Sequence, residues 1–238
     1  TIILLLEAIS INITVNIADI DRELCISRAE QALSDAWRIS NLEEGWNFST
    51  NVNGGGTLHW REGDTCGKMR DDGHETGKGW RCWKLKFEVD APIRKVIDVI
   101  MDVNDMARWN AGVTQSSILE RLDHQTLVTY QVTAGQKPIV MPRDFVFLFR
   151  EEMRGSTWTA GGCSVQFNTE SKSDKVRAWQ YPGLMIAEAI EDEKTEFIWL
   201  LQCDFGGSLP LYVLNGAMPF AMKLFCQCLR KELKNLKT

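Results

Sequence analysis

The 238 residues are 44% hydrophobic and 25% charged, which excludes a disordered chain and is enough for one large domain with a sizeable core or an enclosed cavity. With 27 basic and 32 acidic residues the net charge is −5, a balance that argues against a nucleic-acid binder. The seven cysteines are odd in number and scattered, a poor disulfide framework, and they read as small buried hydrophobes of a cytoplasmic protein.

Residues 1–17 are apolar but broken by Glu7, Ser10 and Asn12. The run falls short of the roughly 20 apolar residues of a membrane span, and it lacks the basic start of a signal peptide. Residues 1–18 are read as an N-terminal extension, either the tail of an upstream tether or a poorly ordered arm. Residues 19–238 are read as one domain. The first helix is expected over 19–40, capped by Asp19 or Asp21, with Leu24, Ala32, Leu33 and Ala36 on its apolar face. Alternation then predicts strands at 46–52 and 57–60 around a turn at Gly54, Gly55 and Gly56. No Gly-Lys-Ser/Thr follows, so this is no phosphate loop. Residues 61–79 are polar and read as an exposed loop. Its Asp64, Asp71, Asp72, His74 and Glu75 match neither calcium nor zinc spacing.

A strand is expected over 80–89, where Trp83, Leu85, Phe87 and Val89 alternate with Lys84, Lys86 and Glu88. A short helix starts at Pro92 with Asp90 as its expected cap. Strands follow at 115–121, 126–133, 145–152, 158–167, 176–181, 183–190 and 195–205, several joined by tight turns. Such hairpins imply an antiparallel sheet. The last helix spans 210–236. Its first half has almost no polar face and is expected to be covered nearly all round, one face closing the sheet and another looking into a cavity or a loop, with Gly216 and Pro219 weakening it. The fold class is α+β, a strongly curved antiparallel sheet closed by the C-terminal helix.

No motif supplies chemistry. His59, His74 and His124 lie far apart, and Cys226 and Cys228 sit two apart on a helix with no second pair. There is no nucleophile elbow and no dinucleotide fingerprint. The expectation is a protein that is not an enzyme, with no catalytic residue, no metal and no cofactor. Nine tryptophans suit either a core or a pocket for a bulky apolar ligand.

Several stretches, in order, go beyond periodicity: 32–37 (ALSDAW), 106–110 (MARWN), 130–135 (YQVTAG), 141–146 (MPRDFV), 199–210 (WLLQCDFGGSLP) and 229–233 (LRKEL). Together they resemble the START family of lipid-transfer domains over residues 29–236. The resemblance implies a helix-grip fold in which a curved sheet wraps a long C-terminal helix around a lipid. Family ligands include sterols, phospholipids, ceramide and carotenoids, and the pattern is nearest the sterol-binding branch. Related sterol binders carry an inward acidic residue and arginine. Those positions fall here on Gln131 and Phe149, with Arg150 next to it, able to face inward only through a bulge or register shift.

The implied function is intracellular binding and transfer of one hydrophobic lipid, a sterol, between membranes. The alternatives are a carotenoid or phospholipid carrier, or a lipid sensor or scaffold that transfers nothing. Implied wall residues are Met106, Asn110, Tyr130, Gln131, Phe149, Trp199, Gln202, Phe220 and Leu224, with Asn110 and Gln131 as the polar ones. A gate loop of Gly135, Lys137, Ile139, Val140 and Met141 is expected to yield at Gly135, Gly216 and Pro219 and to touch a membrane surface transiently. Arg143 and Asp144 are assigned to the base of that loop. The expected partners are one lipid and a membrane surface, with no nucleic acid, for a cytoplasmic monomer peripheral at membranes.

Overall fold

The computed structural model describes residues 21–63, 80–135, 140–166 and 174–236. The extension at 1–18, most of the polar 61–79 loop, and Lys137 and Ile139 of the expected gate lie outside these residues.

Helix α1 (Arg22–Ser40) begins where Asp21 Oδ1 accepts the Leu24 N–H at 3.0 Å, an ordinary side-chain cap. Its buried stripe is built largely from small residues, Ala29, Ala32 and Ala36 with Leu33, so the helix lies close against one face of the sheet. The sheet contains β1 (Asn47–Asn51), β2 (Gly56–Glu62), β3 (Arg81–Val89), β4 (Val113–Arg121), β5 (Thr126–Thr133), β6 (Arg143–Arg154), β7 (Thr157–Gly162), β8 (Val176–Arg177), β9 (Trp179–Gln180), β10 (Gly183–Glu191) and β11 (Lys194–Asp204). Its order is β1-β2-β3-β11-β10-β7-β6-β5-β4, antiparallel throughout, with β8 alongside β6 in parallel and β9 beside β11. Register shifts in β4, at 113/115 and 118/120, bend that edge of the sheet, which remains open between β4 and β1.

Three local expectations are corrected. Helix α2 (Ile93–Met101) is preceded by Pro92 in the capping position with no side-chain bond, so Asp90 is not its cap. The strand expected over 158–167 ends at Gly162, after which Ser164 N–H turns to the Gln180 carbonyl at 2.7 Å. The strand expected over 176–181 is two pieces, because Ala178 N–H bonds the Asp144 carbonyl at 2.9 Å before the chain crosses to β11.

After α2 the chain passes through a 3-10 turn (Val103–Asp105) into the short α3 (Met106–Trp109). The closing helix α4 (Leu211–Asn235) runs without a break through Pro219 and is about 37 Å long at 1.5 Å per residue. Its second half is anchored: Phe225, Cys226, Leu229 and Leu233 are buried among Phe87, Phe197 and Trp109. Arg108 on α3 grips the buried Glu232 with two bonds, 2.6 and 3.1 Å. Arg230 donates to the Gly55 and Glu88 carbonyls at 2.7 and 2.8 Å and also to the Asn53 carbonyl, fixing the β1–β2 turn, where Gly54 and Gly55 have φ of +79° and +90°.

The first half of α4 faces a cavity, as expected, but is not covered nearly all round. Met218 and Met222 are buried, but Tyr212 is 79% and Phe220 68% exposed. This half lies over an empty space, bordered by Leu214, Ala217, Met218, Phe220, Ala221, Met222 and Leu224, rather than over a filled core.

Candidate functional site

That space is a cavity of about 530 Å³ between the sheet and the first half of α4. The pleat decides which residues reach it. From β6 the odd-numbered Arg143, Phe145, Phe147 and Phe149 border it, and from β11 Trp199, Leu201 and Cys203 do. The intervening Val146, Leu148 and Leu200 point to the other face, into the apolar clusters that pack on α1.

Of the sequence-derived wall residues, Met106, Asn110, Gln131, Phe149, Trp199, Phe220 and Leu224 are brought together around the cavity. Two are not. Tyr130 and Gln202 lie on the even-numbered, outward side of β5 and β11. Gln202 Nε2 donates to the Pro182 carbonyl at 2.9 Å, and Tyr130 OH donates to Asp144 Oδ2 at 3.4 Å. Assigning either to the wall would require the strand to be turned over. Gly135, Val140 and Met141 border the cavity on the loop side. Gly135 closes the loop tightly, since a Cβ there would lie 2.7 Å from the Val140 carbonyl oxygen and from Pro142 N.

The walls are mostly aromatic and aliphatic. Phe147 and Phe149 meet edge to face at 6.3 Å, and Trp199 packs on Phe225 at 4.6 Å. The polar groups are few. Gln131 Nε2 contacts Met106 Sδ at 3.1 Å, a weak acceptor that leaves the amide oxygen for another partner. Asn110 Oδ1 accepts the Gly112 N–H at 3.0 Å, leaving its amide nitrogen as a donor. Arg150 points outward. It pairs with Glu30 at 2.9 Å and Asp123 at 3.1 Å and donates to Thr126 at 2.6 Å. Gln131 and Phe149 therefore stand at the inward positions with no ion pair between them. Among the described residues no three His, Cys, Asp or Glu side chains gather as a metal site.

Sequence reasoning missed Phe145, Phe147, Leu201 and Cys203 as wall residues, although strand alternation marks all four. It also placed Arg143 only at the loop base, whereas that side chain borders the cavity. Burial, and after it the Asp144 carboxylate, push the Tyr130 phenol up to about 12. A phenol raised on folding stabilises the protein while protonated. That contribution is intact below pH 10 and is lost as pH rises through the folded value of about 12. Melting temperatures are expected to fall across this window, and Tyr130→Phe to flatten the fall.

Comparison with known proteins follows the same lines. A family model described as START domain matches residues 43–238. The mitochondrial steroidogenic acute regulatory protein of Mus musculus is 30% identical over 220 residues, covering 90% of this chain and 73% of that protein. Its Homo sapiens counterpart is 26% identical over 221 residues, with coverages of 90% and 73%. Among solved structures, human StAR-related lipid transfer protein 5 superposes with a TM-score of 0.79 at 20% identity, covering 91% of this chain and all of that one. A STAR-related lipid transfer protein fragment from Xanthomonas axonopodis gives 0.65 at 19% identity, covering 80% of this chain and 99% of that one.

Proposed function

This chain belongs to the START domain family, and on that footing we propose that it encloses one sterol-sized lipid in the cavity and carries it between membranes. The observation that carries the reading is the cavity itself: about 530 Å³, walled by aromatic and aliphatic side chains, with few polar groups. That volume lies within the range of roughly 300–1,000 Å³ typical of small-molecule sites. Enclosing several hundred Å² of apolar lipid surface is worth several kcal/mol at about 25 cal/mol per Å², before the costs of association. A hydroxyl on the lipid finds the Gln131 amide oxygen and the Asn110 amide nitrogen as partners.

Entry requires the segment around Gly135, Val140 and Met141 to part from the first half of α4. Phe220, Tyr212 and Met141 are exposed apolar side chains, and all three lie in these two segments. They suit transient contact with a membrane surface. Among the described residues no helix is long and apolar enough to cross a membrane. No covalent step is part of the reading.

Transfer of a fluorescent sterol from donor to acceptor vesicles tests it. The expected result is transfer that rises with protein concentration and saturates with sterol. Binding without transfer favours a sensor, and no binding of any lipid overturns the reading.

A further inference from the structure

Among the few polar groups on the cavity wall, one side chain carries a formal charge, Arg143. Arg143 is only 4% exposed, borders the cavity on the same strand face as Phe145 and Phe147, and sits beside the loop residue Met141. Its Nη1 donates to the Met141 carbonyl at 2.5 Å and its Nε to the Phe205 carbonyl at 3.2 Å. Both partners are neutral. No described carboxylate pairs with it, and its neighbour Asp144 is on the opposite strand face, bonded to Arg177 at 2.9 Å. Burial alone pulls the Arg143 pKa down, with no charged neighbour contributing.

A guanidinium has five N–H donors and no acceptor. The two carbonyls occupy Nε and one hydrogen of Nη1. Among the described residues nothing accepts from Nη2, which leaves its two N–H groups and one on Nη1 as donors beside the cavity that Arg143 borders. A buried charge without a counter-charge is costly, and an anion supplied from outside removes that cost. The geometry of a planar fork suits a carboxylate or sulfate oxygen pair.

We propose that the lipid carries an anionic group at the loop end of the cavity, held by Arg143, with its apolar body between the Phe145–Phe149 wall and α4. This rests on the lipid-carrier reading and narrows its ligand class to acidic lipids of sterol size.

The test compares cholesterol, cholesterol sulfate and cholesteryl hemisuccinate as competitors of a bound fluorescent sterol, which share one apolar body and differ in the polar group. The wild-type protein is expected to bind the two anionic lipids at least tenfold more tightly than cholesterol. In Arg143→Gln the ratio is expected to collapse towards one. Equal or weaker binding of both anions by the wild type overturns the proposal, as does a preference that survives in Arg143→Gln. If Arg143→Gln does not fold, Arg143→Lys, which keeps the charge but not the fork, is expected to weaken the preference, and an undiminished preference there overturns the proposal. Binding of cholesterol without an anion preference sinks this inference alone, whereas binding of none of the three sinks the carrier reading with it.

Discussion

Tryptophan at both Gln131 and Leu201 is expected to lower lipid affinity by more than tenfold while leaving the protein folded. Both side chains border the cavity, from β5 and β11, two strands with three others between them in the sheet. Adding bulk to a filled core forces strain of about 1–3 kcal/mol. Here the added indoles, each with roughly 150–250 Å² of surface to bury, enter existing space. They compete with the ligand for the same walls. A tenfold loss corresponds to about 1.4 kcal/mol, well below what two occluding rings displace. The measurement is sterol displacement together with a thermal melt. Undiminished affinity in a folded double variant would place the ligand somewhere else.

Gly162→Ala is expected to have the largest effect on stability. A Cβ at Gly162 would lie 2.0 Å from the Leu148 carbonyl oxygen and 2.9 Å from its carbon, both backbone atoms that no rotamer change can move. Relief requires β6 and β7 to part where Leu148 N–H bonds the Cys163 carbonyl at 2.9 Å. The loss belongs with the rare substitutions above about 4 kcal/mol. For a chain of this length each kcal/mol moves the melting temperature by roughly 2–4 °C, so a fall of at least about 8 °C is expected. Gly155→Ala is the control. Gly155 has φ +63° but nothing within 4 Å of an added Cβ, so only the backbone strain of about 1–2 kcal/mol remains. Equal effects at the two positions would contradict the close strand approach.

Much of this architecture is legible in the residues. The alternation of Trp83, Leu85, Phe87 and Val89, all but one of β3's buried positions, marks that strand, and the Asp21 cap marks the start of α1. Period-two and period-3.6 patterns record burial, and most of this chain's burial follows them. Where two residues suffice for pairing, as in β8, no period exists to read. Tyr130 and Gln202 show a different limit. Their residue types suit a binding wall, but which strand face meets the cavity is set by pairing across the sheet, and a neighbour one position away is on the other side. The first half of α4 was legible as a cavity wall, but its expected coverage nearly all round was not met. An all-apolar helix surface signals apolar surroundings, and here a cavity and its mouth take the place of packed side chains. Arg143 was hidden by its motif: its place next to Pro142 and Asp144 assigned it to the base of the loop, while the cavity edge became evident only from the direction of β6.

The account depends on the space under α4 being a container. Native mass spectrometry of the protein after incubation with vesicles of mixed sterol and phospholipid tests this most directly. The predicted result is one added lipid mass per chain, released on activation as a single species and absent from the Gln131→Trp/Leu201→Trp protein. A wild-type spectrum showing only the bare chain, or several lipids per chain that the double substitution leaves in place, would contradict it.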